Sequence, residues 1–312
     1  MTTPEPAAPH HEVFAHFGAT DIPEQSVYPY SPVFPCRVGT DRVVIKRTRG
    51  KPEHAAAIAH LTAEAADSGV PVVRAVETRA ENPAAIGEHI WVAYPFIEGD
   101  VYSGSDEHIA GAGELLGRLH ATATRTRAPA FSWPDPDEES VAEDQDGLAA
   151  TVGPWSAATA QALSELVARF PAAILPRVRD AGLPECTIVT DYKANNLIYT
   201  AEGPVLVDPD NADHGPRLFD LAFAALQFHS EHPGAPSRTF DVREWTIFTT
   251  SYQRHVQLTP LERELWPTVV EYVLSEESVW TLVESDDWDD ERERAFLLDL
   301  AQADAARFPL PD

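Results

Sequence analysis

Along roughly the first hundred residues, apolar positions recur with the short period of strands, interrupted once by a helical stretch. Residues 1–25 read as a polar, proline-containing lead-in. Residues 26–49 read as extended. Pro29, Pro32 and Pro35 interrupt a first strand, Gly39 and Thr40 supply a turn, and the β-branched run DRVVIKR at 41–47 makes a second strand. Residues 52–67 are alanine-rich, with Ile58 and Leu61 at helical spacing and a stop at Gly69, which predicts a helix. Residues 70–76 and the segment HIWVAYPFI at 89–97 predict two more strands, the last ended by Glu98 and Gly99. The order β-β-α-β-β describes a small mixed unit of about one hundred residues, an ordinary domain size.

Beyond Gly99 the period becomes helical. Residues 107–122 carry Leu115, Leu116 and Leu119 on one face, and residues 157–170 place Leu163, Leu166 and Val167 in register. Between them, residues 127–150 are acidic, contain Pro129, Pro134 and Pro136, and read as a loop or insertion. Short strands follow at 187–190, 197–199 and 205–207, and residues 218–308 read as helix after helix, with no internal repeat.

Composition narrows the function. A chain of 312 residues that is 44% hydrophobic can build a packed core of one large or two modest domains. Its 50 Asp and Glu against 23 Lys and Arg give a net charge of −27, which argues against nucleic-acid or anionic-membrane partners and favours cationic ones. Cys36 and Cys186 belong to no CxxC or Cys/His cluster, so they read as ordinary buried thiols, with neither a disulfide framework nor a zinc site. The N-terminus lacks the pattern of a signal peptide, and the longest apolar run, at 218–228, is interrupted by Asp220 and is too short to span a bilayer. The location predicted is the cytosol.

The chemistry concentrates in TIVTDYKANNLIYTAEGPVLVDPDNADHGPRLFDLA at 187–222. Asp191 is followed by Lys193 and Asn196 just before a short strand, and a second strand ends in Asp208, with Asp210 close behind. Phosphoryl transfer needs a carboxylate beside the attacking hydroxyl, oxygen ligands for Mg²⁺ and positive charge on the transferred group. Asp191 alone would read as a cap, Asn195 and Asn196 as turn residues, and Lys46 as a solvated strand lysine. Their joint spacing favours function, the more so because the chain has only three lysines, Lys46, Lys51 and Lys193.

DxKxxN followed by a strand-terminal Asp is similar to the catalytic core of protein-kinase-like folds. Together with LLGRLH at 115–120 and LFDLA at 218–222, it most resembles the aminoglycoside phosphotransferase and choline kinase branch. The resemblance covers about residues 26–285. It implies an α+β, bilobal protein-kinase-like fold, with a small mixed β-sheet N-lobe at 1–98, a hinge near 94–99 and a mainly helical C-lobe at 99–312. It further implies ATP and Mg²⁺ as cofactors and Asp191 as the base or hydroxyl-orienting carboxylate. Lys193 would contact the transferred phosphoryl, Asn196 and Asp208 would hold the metal, and Lys46 would reach the α/β-phosphates. Pro95 C=O and Ile97 N–H would read adenine, and Asp220 would brace the catalytic loop. Three departures stand out. The customary HGD reads Val189, Thr190, Asp191; no glycine-rich loop occurs in YSPVFPCRVG at 30–39; and a helix-borne glutamate partner for Lys46 could be Glu53 or Glu64. His120 reads as a packed helix residue.

Tyr272, Glu276 and Trp280 share one face at ideal helical spacing. In the family the C-terminal helices line the acceptor site, which makes Glu276 and Glu277 candidate contacts for a cationic acceptor. Asp210 could approach metal or substrate, or cap its loop. The resulting expectation is a kinase that phosphorylates a hydroxyl of a small, cationic natural product or antibiotic, with resistance as one outcome. The alternatives are a kinase of a metabolite such as choline or homoserine, and a catalytically silent nucleotide or antibiotic binder.

Overall fold

The computed structural model describes residues 5–28, 31–48, 50–124 and 128–311. Pro29 and Tyr30, at the start of the expected phosphate loop, lie outside the described residues, as do Arg49 and residues 125–127. The N-terminal half contains α1 (His11–Phe17), β1 (Ala19–Thr20), β2 (Val33–Val38), β3 (Asp41–Thr48), α2 (Pro52–Asp67), β4 (Ala84–Ile86) and β5 (His89–Pro95). The strands form one antiparallel sheet in the order β1-β2-β3-β5-β4.

Strand alternation gives this sheet two faces. Phe34, Cys36, Val43, Ile45, Trp91 and Ala93 pack beneath Val13, Phe14 and Phe17 of α1. The supposed lead-in is therefore a lid on the sheet, carried by three apolar residues in a helix too short for a strong periodic signal. Pro35 does not interrupt β2. It pairs with Val44 inside the strand, and since Arg47 N–H bonds Pro32 O, the odd-numbered positions of β2 face the edge that β1 covers only at Arg37 and Val38. The opposite face carries Lys46, Val92 and Tyr94. Lys46 lies across from Val92, and Tyr94 across from Val44. Residues 70–76 form no strand of the sheet. Val72 makes a single parallel bridge to Leu206, and Val76 N–H bonds Ala93 O, so the segment ties the two halves together.

The helical half contains α3 (Asp106–Ala121), α4 (Glu138–Thr151), α5 (Ala157–Arg169), α6 (Leu175–Arg179), β6 (Glu185–Ile188), β7 (Leu197–Thr200), β8 (Gly203–Leu206), β9 (Asp213–Pro216), α7 (Leu218–Gln227), α8 (Val242–Tyr252), α9 (Pro260–Val273), α10 (Val279–Glu284) and α11 (Glu291–Leu300). Antiparallel pairs β6–β9 and β7–β8 project the two loops that carry the chemistry. The acidic 127–150 segment is not a loop throughout, because α4 begins at an Asp137–Ser140 capping box. Leu148 is its one fully buried residue, so its apolar periodicity is weak.

Two features set the site's frame. A Cβ on Gly113 would lie 2.1 Å from Phe248 O, and one on Gly117 would lie 2.6 Å from Tyr252 O, so the glycines let α3 and α8 meet backbone to backbone. Between α9 and α10, residues Leu274–Ser278 form a π-helical turn. Its i→i+5 bonding rotates the register, so Tyr272 is buried while Trp280 is 64% exposed, and the single face expected for Tyr272, Glu276 and Trp280 is broken.

Candidate active site

The loop after β6 is held from behind. Asp220, fully buried on α7, accepts hydrogen bonds from Val189 N–H (2.7 Å) and Thr190 N–H (2.8 Å). His120 Nε2 lies 3.0 Å from the same carboxylate, and its Nδ1 lies 3.0 Å from the Tyr252 hydroxyl. With the carboxylate accepting from Nε2–H, Nδ1 accepts from the tyrosine. The bracing role expected of Asp220 is thus visible, and LLGRLH supplies both the glycine that admits α8 and the histidine that orients Asp220. Thr190, at the customary glycine position, has φ +59° and donates from Oγ1 to Asn211 O at 2.8 Å. The hydroxyl links this loop to the one bearing Asp208.

Asp191 sits at the front of the loop. Asn196 Nδ2 donates to both Asp191 O (2.8 Å) and Asp191 Oδ2 (3.0 Å), which leaves Asn196 Oδ1 as an acceptor. Lys193 Nζ stands 3.3 Å from Asp191 Oδ1 and 3.2 Å from Glu231 Oε2. Tyr28 reaches across from the N-terminal half to donate to the same Glu231 oxygen at 2.9 Å. Burial raises the Asp191 pKa above the ordinary carboxylate value; Lys193 opposes this, and Asp208 and Glu231 add to it. Burial works to discharge Lys193, but Asp191 and Glu231 outweigh it and keep the ammonium charged.

The second loop meets β3 and β5. Lys46 Nζ lies 2.6 Å from Asp208 Oδ1 and 3.0 Å from Asp210 Oδ2. Burial disfavours the Lys46 charge, but the two aspartates overcome that and raise its pKa. Among the described residues, the carboxylates that meet Lys46 are Asp208 and Asp210, in place of the glutamate expected on α2 at Glu53 or Glu64. What α2 offers the loop is His54, whose Nε2 lies 3.3 Å from Asp210 O. Tyr94 donates to Asp210 Oδ1 at 2.8 Å. Asp210, carried above as a candidate substrate contact, therefore stands with Lys46 and Tyr94.

At the end of β5, Phe96 N–H bonds Arg42 O, so Val43 and Pro95 form a pair that exchanges no hydrogen bonds. Pro95 C=O thus points away from β3. Ile97 N–H has no partner among the described residues.

Glu276 and Glu277 lie in the π turn. Burial, then Glu276, then Asp191 push Glu277 up to about 7, so Glu277 is near enough to Asp191 to feel its charge. Burial and Asp144 of α4 raise Glu276. The Tyr272 hydroxyl, buried and without a hydrogen-bond partner among the described residues, feels both glutamates. Sequence reasoning missed Tyr28, Tyr94, Asp144 and Glu231. The alternation of HIWVAYP placed Tyr94 on the Lys46 face; the others carried no local signal.

For a metal, Asn196 Oδ1 and the Asp208 carboxylate, 35% exposed, are hard oxygen donors of the kind Mg²⁺ takes when phosphates and water complete its shell. No group of three or more His, Cys, Asp or Glu side chains poised for a metal occurs among the described residues. Among those residues, no helix is long and apolar enough to cross a membrane.

Solved structures of the same fold include the microcompartment-associated aminopropanol kinase (TM-score 0.68, 13% identity, 95% of this chain and 94% of that one). Amicoumacin kinase hAmiN in complex with AMP-PNP, Ca²⁺ and Ami is similar over 97% and 94% of the two chains (TM-score 0.64, 12% identity). An aminoglycoside phosphotransferase from Alicyclobacillus acidocaldarius is similar over 90% and 92% (TM-score 0.58, 17% identity). No curated protein sequence matches. The profile of the phosphotransferase enzyme family matches residues 34–249, a span that runs from β2 through both site loops into α8. With the braced loop, the paired lysines and the fold all in agreement with that match, the chain belongs to the phosphotransferase enzyme family and is a small-molecule phosphotransferase.

Proposed function

We propose that the protein transfers the γ-phosphoryl group of ATP to a hydroxyl of a small, cationic acceptor. The observation that carries this is the setting of Asp191, paired with Lys193 and Asn196 and near enough to Glu277 for the two carboxylates to feel each other's charge. Asp191 orients the acceptor hydroxyl and takes its proton as the new O–P bond forms and the bond to the leaving ADP oxygen breaks. Lys193 exchanges Glu231 for the transferring group, and Lys46 meets the α/β-phosphates. Pro95 C=O and Ile97 N–H face adenine in a hinge placed at 94–99, between lobes 1–98 and 99–312. Asn196 and Asp208 would hold Mg²⁺, which when bound neutralises phosphate charge. Asp144, Glu276 and Glu277 attract an acceptor amine. An ATP-consuming enzyme with two free thiols fits the cytosol.

An aminoglycoside-like or basic peptide antibiotic fits this site, with resistance as the outcome. Small metabolites of the choline or homoserine kind, or an amino alcohol such as the aminopropanol of one structural neighbour, fit the same charge. A silent binder is favoured by one observation, the closure of Lys46 by two aspartates. The test is incubation with Mg·ATP and a panel of amine-bearing antibiotics and amino alcohols, following ADP release and a mass gain of one phosphoryl. Asp191→Ala should lose about two or more decades of rate. Equal, slow ADP release by wild type and Asp191→Ala with every acceptor, while ligand still binds, would establish the silent binder.

A further inference from the structure

Tyr94 and Lys46 engage the two oxygens of one buried carboxylate. Asp210 Oδ1 accepts from the Tyr94 hydroxyl at 2.8 Å, and Asp210 Oδ2 lies 3.0 Å from Lys46 Nζ. Both partners come from the centre of the sheet, on the face that strand alternation turns toward the loop. The carboxylate is therefore held from β3 and from β5. Its neighbour differs. Asp208 meets Lys46 through Oδ1, and its side chain is 35% exposed against 6% for Asp210. We propose that Asp210, clamped by Tyr94, is the carboxylate that positions Lys46, taking the role expected of a glutamate on α2, and that of the two aspartates only Asp208 turns to a metal.

The proposal rests on the kinase reading above and adds an assignment to it. Lys46 needs a carboxylate that stays when nucleotide arrives, because a buried ammonium that loses every partner is strongly destabilising. If both aspartates left for a metal, Lys46 would face the phosphates unsupported from the protein side. With Tyr94 holding Asp210, Asp208 can leave while Lys46 keeps a fixed partner and a fixed direction. On the α2 side the loop meets His54, which contacts the Asp210 backbone and leaves the carboxylate to Lys46 and Tyr94.

The experiment is calorimetric titration of ADP into the full-length protein, once with EDTA and once with Mg²⁺, for wild type, Asp208→Asn, Asp210→Asn and Tyr94→Phe. Asp210→Asn should weaken ADP about tenfold in both conditions, the scale of one charged hydrogen bond, and leave the enhancement by metal as in wild type. Asp208→Asn should keep its metal-free affinity and lose the enhancement. Tyr94→Phe should follow Asp210→Asn with a smaller loss of about threefold. Unchanged metal-free affinity in Asp210→Asn, or loss of its metal enhancement, overturns the assignment; the second result would make Asp210 a metal ligand. Should Asp210→Asn fail to fold by circular dichroism, Tyr94→Phe decides by the same two readouts. Wild type that binds no ADP in either condition overturns the kinase reading and this assignment with it, whereas a contrary variant beside an ADP-binding wild type overturns the assignment alone.

Discussion

Thr190 holds a β-branched side chain at φ +59°, where a glycine would be unstrained. The conformation costs about 1–2 kcal/mol, and the bond from Oγ1 to Asn211 O offsets it by about 1 kcal/mol. Thr190→Gly removes both terms and adds chain entropy to the unfolded state, so its urea-derived stability should stay within about 1 kcal/mol of wild type. Thr190→Val keeps the strain and loses the bond, and should be destabilised by about 1–3 kcal/mol. A valine variant as stable as wild type would remove the hydroxyl from this account. Glu277 gives a pH prediction. Its folded pKa is raised from 4.5 to about 7, chiefly by burial. A raised carboxylate contributes stability below its unfolded pKa and loses that contribution as pH rises through the folded value. Glu277→Gln should therefore match wild type near pH 4.5 and exceed it above pH 7 in thermal melts. Ionised Glu277 is also the form that attracts an amine, so the KM of a cationic acceptor should fall as pH rises through about 7, and this titration should vanish in Glu277→Gln.

Elements matter here through where they permit close approach. α3 and α8 touch at Gly113 and Gly117, and that contact sets His120 against Asp220 and Tyr252. Gly117→Ala would place a methyl 2.6 Å from Tyr252 O, so the helices must part. The expected loss is at least about 1–3 kcal/mol in chemical denaturation, with a fall in kcat as the Asp220 brace shifts. Wild-type stability and kcat in Gly117→Ala would mean that the two helices separate freely. The elements legible in the sequence were those with strong periodicity or clear punctuation. α2 matches its predicted bounds of 52–67 because proline opens it and Gly69 follows it. α1, α4, β4 and β9 were not legible. α1 and the two strands are short, and α4 buries little.

Charge acts at the scale of the whole molecule. A net charge of −27 repels an anionic nucleotide and would draw in the cationic acceptor proposed above. Screening over about 8 Å at physiological salt limits both effects. Raising ionic strength should therefore lower the KM for ATP and raise the KM for the acceptor, as read from initial rates at two or more salt concentrations. Two constants moving together would mean that local contacts, rather than the overall field, set both. Specific noncovalent ties join the two halves, including the Val72–Leu206 bridge and the bond from Tyr28 to Glu231.

From sequence alone, the spacing of Asp191, Lys193, Asn196 and Asp208 and the motifs LLGRLH and LFDLA were enough to indicate the kinase-like fold and its chemistry. Those signals are local: each needs only a loop between short strands or one turn of helix. The tertiary structure decided the partners. Lys46 joins Asp208 and Asp210 across 162 and 164 positions of chain, counted from the residue numbers, and Tyr28 joins Glu231 across 203. The register of a π turn turned Trp280 outward and left Glu276 and Glu277 partly buried. Such pairings depend on how distant elements pack, which no local pattern of polar and apolar residues encodes.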